Sequence, residues 1–211
     1  MSISNYNELV ASVSDWLASD ELVSKIPDLI TLCDASLNRQ LRTRDQVKRS
    51  TASVSTQYIT HPSDLAELLN VVLDTNPIKR LEQVTPSQAD DKRQLHSSAG
   101  KPLYFSMVGE SIELIPTPDT AYTVEIIYYA KLDALTAAAT TNWCLTKHPD
   151  TYLYGVLTQA EPYLGRDERI GVWGALLSKS LEEIRTADDR AEASTGPLIM
   201  RTSNNLEYGN W

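Results

Sequence analysis

The spacing of apolar residues changes period twice along this chain. Tyr6, Leu9, Val10, Val13 and Leu17 recur every three or four positions, the period of a helix with one buried face. Asn5 and Glu8 have the spacing of a capping box at its start, with Ser4 as the alternative cap. A second helical stripe follows: Ile26, Ile30, Cys33, Leu37 and Leu41. Pro27 suits its first turn, where a missing N–H costs nothing. Arg39, Arg42 and Arg44 fall at its C-terminal end, where cations meet the negative end of the helix dipole. Residues 4–44 therefore read as helical.

The pattern then turns to strands. "STASVSTQYI" is rich in Ser, Thr and Val and reads as one strand, ended by His61-Pro62. "LAELLNVVLD" fits helix or strand, and its second half favours strand. Thr85-Pro86 begins a short helix over "SQADDKRQLH". "PLYFSMV" and "SIELIP" flank Gly109-Glu110, and a glycine first in a two-residue loop fits a type II′ hairpin turn. In "YTVEIIYYAKL", Tyr122, Val124, Ile126 and Tyr128 alternate onto one sheet face. Thr123, Glu125, Ile127 and Tyr129 take the other, which is half apolar and so expected to be partly covered.

Helical spacing returns after the Ala/Thr loop "LTAAATT" and lasts from 147 to 193. Pro149 and Asp150 suit a first turn. Leu153, Leu157, Ala160 and Leu164 share a face, and Gly165 suits the end. Asp167 can cap a long helix to about Ala193, with Ile170, Trp173, Leu177, Leu181 and Ile184 as its stripe and a length of roughly 40 Å. Gly171 and Gly174 inside it are expected to permit close helix approach. Its last turns, "RTADDRAEAS", are polar; they project into solvent or meet another chain.

The expected fold is α+β. N- and C-terminal helices form a bundle, and a strand-rich antiparallel β module over 47–135 is inserted into it. Trp143, Leu153, Leu157, Trp173, Leu177 and Leu181 are expected in the core. Residues 1–194 make one domain and 195–211 an extended tail. After the breaker Gly196-Pro197, the tail carries Leu198, Ile199, Met200, Leu206, Tyr208 and Trp211 without a period. A solvated tail rarely keeps such groups. It folds back on its own domain or docks on a partner.

Composition narrows the function. The chain has 211 residues, 42% hydrophobic and 22% charged, as one globular domain requires. A net charge of −9 argues against general affinity for nucleic acid. Cys33 and Cys144 lie among apolar residues and read as buried thiols in a reducing compartment. No apolar run approaches the ~20 residues of a membrane span, and the N-terminus lacks a secretion signal.

Candidate chemistry is sparse. His61 and His148 precede prolines, and His96 lies in polar sequence. His148 and Asp150 straddle Pro149 without a nucleophile beside them, so His148 reads as a helix-start residue bonding to backbone rather than a base. Cys144 and His148 are four apart, but Pro149 should begin a new helix after them, and zinc needs two further ligands. No metal, cofactor or catalytic residue is expected. The basic residues Arg39, Arg42, Arg44, Lys48 and Arg49 fit salt bridges within or between subunits better than DNA contacts. Tyr152 and Tyr163 fit a core edge or an interface equally.

The segment "NWCLTKHPDTYLYGVLTQAEPYLGRDER" resembles a signature of bacteriophage head-to-tail adaptor proteins, especially those of short-tailed phages. The residues that carry it are Asn142, Trp143, Leu145, His148-Pro149-Asp150, Tyr152-Leu153-Tyr154-Gly155, Pro162-Tyr163-Leu164 and Asp167-Glu168-Arg169. "WLASDELVSKIPDLITLCDASLNRQLR", "GKPLYFSMVGESIELIPTPD", "YTVEIIYYAKLDALT" and "GPLIMR" are similar to other parts of that family. The resemblance implies a structural, non-enzymatic virion protein assembled in the host cytoplasm. It implies a ring, usually of twelve copies, beneath the portal, which extends the DNA channel and gives tail or nozzle proteins a docking surface. DNA would pass without specific binding. The alternative is a tail-completion or nozzle subunit without portal contact. On this reading Leu198, Ile199, Met200, Arg201, Leu206, Tyr208 and Trp211 are candidates for portal docking. Arg39, Arg42, Arg44, Tyr152, Tyr163, Arg185, Asp188 and Asp189 are candidates for contacts between copies.

Overall fold

A computed structural model describes residues 3–165 and 168–192. Helix α1 (Tyr6–Leu17) starts where the pattern predicts: the Asn5 side chain accepts the Glu8 N–H at 3.0 Å. The Glu8 carboxylate reaches back to the Ser4 N–H at 2.7 Å. The first bond satisfies an amide that the first turn leaves without a partner, and the second ties the residue before the cap to that turn. A 3-10 turn (Asp20–Lys25) leads into α2 (Ile26–Gln40), whose predicted stripe from Ile26 to Leu41 is wholly buried. Arg42 Nη1 donates to the carbonyls of Asn38 and Leu41 at 2.8 and 2.6 Å, closing the helix end with a cation.

Helices α4 (Trp143–Lys147), α5 (Pro149–Gln159), α6 (Glu161–Leu164) and α7 (Arg169–Glu192) complete the bundle. (Helix α3 belongs to the β module below.) α5 is central and packs against α1, α2, α4 and α7. The predicted cap Asp167 lies outside the described residues, and α7 is described from Arg169. Its 24 residues span about 36 Å. Trp173, Leu181 and Ile184 are buried along it, and Ile170 and Leu177 are half-buried. Leu153 and Leu157 are core residues as expected, whereas Trp143 is half-buried at the rim.

The close helix approach expected at Gly171 and Gly174 occurs elsewhere. A Cβ at either position would meet nothing within 4 Å. At Gly155 it would lie 2.5 Å from Cys33 Sγ and 3.8 Å from Leu177 Cδ1. Gly155 is the residue that lets α5 sit between α2 and α7.

The β module holds two four-stranded sheets. Its elements are β1 (Val47–Val54), β2 (Tyr58–Thr60), β3 (Leu65–Leu73), β4 (Lys79–Arg80), β5 (Glu82–Gln83), α3 (Pro86–Leu95), β6 (Tyr104–Val108), β7 (Ser111–Ile115) and β8 (Tyr122–Ala130). The sheet orders are β1-β8-β3-β4 and β2-β7-β6-β5. The strand predicted over 50–59 is two strands in different sheets. β1 starts three residues earlier, and residues 55–57 carry the chain across to β7. The ambiguous stretch from Leu65 is strand throughout, with Leu65, Val71 and Leu73 buried at even spacing. Gly109 has φ 61° and Glu110 does not share the positive φ, as a type II′ turn demands. The module is not wholly antiparallel: β5 and β6 run parallel, joined through α3, because a parallel pair needs a crossover.

Three separate hydrophobic clusters result. One joins the helices, a second lies between the sheets around Val71, Phe105, Leu114, Val124 and Ile126, and a small third, of Val84, Ala89 and Ile115, sits under α3. The predicted inner face of β8 is in the second cluster: Val124, Ile126 and Tyr128 are buried and Tyr122 is half-buried.

Candidate functional site

The stretch from Cys144 to Trp173 holds the residues most suggestive of chemistry, and packing accounts for them. α4 stops at Lys147, the His148 N–H donates to the Cys144 carbonyl at 2.7 Å, and Pro149 opens α5. Cys144 and His148 are therefore not on one continuous helix. The His148 ring stands edge-on to Trp143, with centroids 6.3 Å apart. Its side chain does not cap α5, so the expected bond to the helix backbone is absent. Burial pushes its pKa below the usual imidazole range, against the opposing pull of Asp150 and Asp45. The ring lines a cleft of about 190 Å³ with Thr43, Arg44, Asp45, Lys147, Ile184, Ala187 and Asp188. Among the described residues no hydrogen bond links His148 to Asp150.

Both thiols are buried and unpaired. Burial pushes Cys33 well above the ordinary thiol range and Cys144 up to about 12, so neither is a ready thiolate. Among the described residues, no three His, Cys, Asp or Glu side chains gather as metal ligands.

Tyr152 corrects the interface expectation. It is 0% exposed, so it cannot meet another chain. Its hydroxyl donates to Asp34 Oδ1 at 2.7 Å and accepts from Asn142 Nδ2 at 2.6 Å. Asp34 Oδ2 accepts the Leu135 N–H at 3.0 Å, and Asn142 Oδ1 accepts the Leu145 N–H at 2.9 Å. This network ties α2, α4, α5 and the 131–142 connection together. Asp34 is 6% exposed, and burial raises its pKa despite the bonds from Tyr152 and Leu135. Its position next to Cys33 in the α2 stripe was the only sequence signal for this role.

Tyr163 is 55% exposed and remains available to a partner. The basic run makes contacts within the chain. Arg42 pairs with Glu67 at 2.8 Å, Lys48 with Asp64 at 2.9 Å and Arg49 with Glu125 at 3.2 Å. Arg44 joins α7: its backbone N–H donates to the Asp188 carboxylate at 3.1 Å, with its guanidinium 3.8 Å away. Arg185 Nη2 donates to the Gln40 carbonyl at 3.3 Å. Of the candidates for contacts between copies, Arg42, Arg44, Arg185 and Asp188 thus hold their own fold together. Arg39 and Asp189 lie on the exposed surface. The tail candidates from Leu198 to Trp211 lie outside the described residues.

The pattern of the SU10 adaptor protein family matches residues 4–201, nearly the whole chain. The chain belongs to that family. No curated protein matches it. Membership places it among the structural adaptors of bacteriophages, the class that the 142–169 segment resembles. The match spans bundle and β module alike, so both are parts of the adaptor. No helix among the described residues is long and apolar enough to cross a membrane.

Proposed function

We propose that this protein is a head-to-tail adaptor that forms a ring, of twelve copies, beneath the portal of a short-tailed phage. The ring extends the DNA channel and presents a docking surface to tail or nozzle proteins. The family match over 4–201 carries the reading. Two physical features support it. A 24-residue helix with a polar outer side suits side-by-side contacts that close into a ring. A net charge of −9 suits a channel wall along which DNA slides without sticking. The role is structural, and no residue is assigned to catalysis.

Native mass spectrometry of the chain, alone and with the portal ring of its phage, tests this. Twelve copies added to a portal dodecamer is the expected result. A chain that ignores the portal moves it to tail completion or the nozzle.

A further inference from the structure

The sheet built from β1, β8, β3 and β4 has two edges of different character. On the β3 side the ladder shifts register between Leu65 and Glu67 and again between Leu68 and Asn70, and β4 covers the far end at Val72 and Leu73. Bulges and short covering strands blunt an edge against further pairing. On the other side β1 pairs with β8 from Val47↔Tyr129 to Val54↔Tyr122 with no shift. No strand of the described residues pairs with its outer edge. The edge strands of the second sheet, β2 and β5, are three and two residues long. β1 is thus the one long, regular, open edge among the described residues.

Its side chains suit a close neighbour. The run Ser50-Thr51-Ala52-Ser53 is small and uncharged and contains no proline. Ala52 stands opposite buried Val124 on the core-facing side, yet it is exposed, so the cover that buries Val54 at the end of β1 stops short of Ala52. The usual defence, charge, is confined to Lys48 and Arg49 at one end, and both are engaged by Asp64 and Glu125.

We propose that β1 is a self-docking edge, on which a second copy of this chain adds its own β1 antiparallel about a two-fold axis at Thr51. An axis normal to the sheet keeps each face on its own side, so residues of like parity meet. Thr51 then faces Thr51, Ser50 faces Ala52, Arg49 faces Ser53 and Lys48 faces Val54. No cation faces a cation, whereas a parallel, in-register pair would stack Lys48 on Lys48 and Arg49 on Arg49. The blunted β3 edge leaves no second site for chain growth, so pairing stops at two. Ser50 and Ala52 of each copy gain cover from the other. The dimer is a property of the free chain and does not rest on the ring reading. A strand pair buries less than the ~1,600 Å² of a standard interface, so the association is weak and concentration-dependent.

Sedimentation equilibrium of the full chain, up to high micromolar concentration, tests this with two variants. Thr51→Lys places like charges on the axis, and Thr51→Val keeps size and β preference. The chain and Thr51→Val should show a monomer–dimer equilibrium. Thr51→Lys should sediment as a monomer with unchanged circular dichroism and melting. A chain that is monomeric at every concentration overturns the proposal. So does a Thr51→Lys variant that dimerises as well as the parent, since the contact would then lie elsewhere. Portal binding by Thr51→Lys, read separately, reports on the adaptor reading alone.

Discussion

A Cβ at position 155 would sit 2.5 Å from Cys33 Sγ, well inside van der Waals contact. Gly155→Ala should therefore destabilise the fold by about 1–3 kcal/mol, the usual cost of overpacking, read as a lower urea midpoint. Helix propensity alone predicts a gain of about 0.5–1 kcal/mol, so a stabilised variant would remove the close-packing account. Adding Cys33→Ala should make the double variant less costly than the sum of the two. Asp34 makes a prediction with a sign. Its folded-state pKa is raised, chiefly by burial. The folded protein therefore favours the protonated acid. That preference is fully present below the ordinary carboxylate range and is lost as pH rises through the raised value. Asp64 runs the other way: burial pushes its carboxyl up, but Lys48 and Tyr128 outweigh this and hold it low. Asp34→Asn should thus lose less stability than the parent as pH rises from about 4 towards neutrality. Parallel curves of unfolding free energy against pH would show that Asp34 does not titrate this way.

The contacts that join elements differ in weight. Trp173 is 3% exposed on the inner stripe of α7. Its replacement by alanine should cost about 3–5 kcal/mol, as for other large aromatic deletions from cores. A loss below ~1 kcal/mol would put Trp173 at a surface. At the other end of α7, Asp188 accepts the Arg44 backbone N–H as well as facing its guanidinium. The Arg44 side chain is 61% exposed and that of Asp188 only 14%. An exposed pair contributes little, whereas a backbone amide left without an acceptor costs more. Asp188→Ala should cost about 1 kcal/mol and Arg44→Ala under about 0.5 kcal/mol. Equal losses in chemical denaturation would mean that the ion pair dominates.

At the scale of the whole molecule, a chain of net charge −9 whose Arg42, Lys48 and Arg49 are paired internally should show no steep salt dependence with DNA. A steep slope that flattens on neutralising Arg42, Arg44 and Lys48 would reverse this. Truncation after Thr195 should leave circular dichroism and melting intact and abolish portal attachment; attachment that survives removes the tail from the docking role. The periods of α1, α2 and α7, the Thr85 cap and the Gly109 turn were legible in sequence, because each depends on residues a few positions apart, whereas the helix read from Pro149 to Leu164 breaks at Ala160 into α5 and α6, with Pro162 in the first turn of the second. The family was legible for the same reason: its 142–169 signature is a contiguous run. Tertiary structure decided what depends on meeting distant residues. It divided 50–59 between two sheets, since β8 and β7 offered separate edges. It placed the close helix contact at Gly155 rather than Gly171, and it drew Tyr152 inside, where Asp34 and Asn142 satisfy its hydroxyl. Local spacing sets which face of an element is apolar; only packing sets what that face meets, and with it the burial and pairing of every polar group.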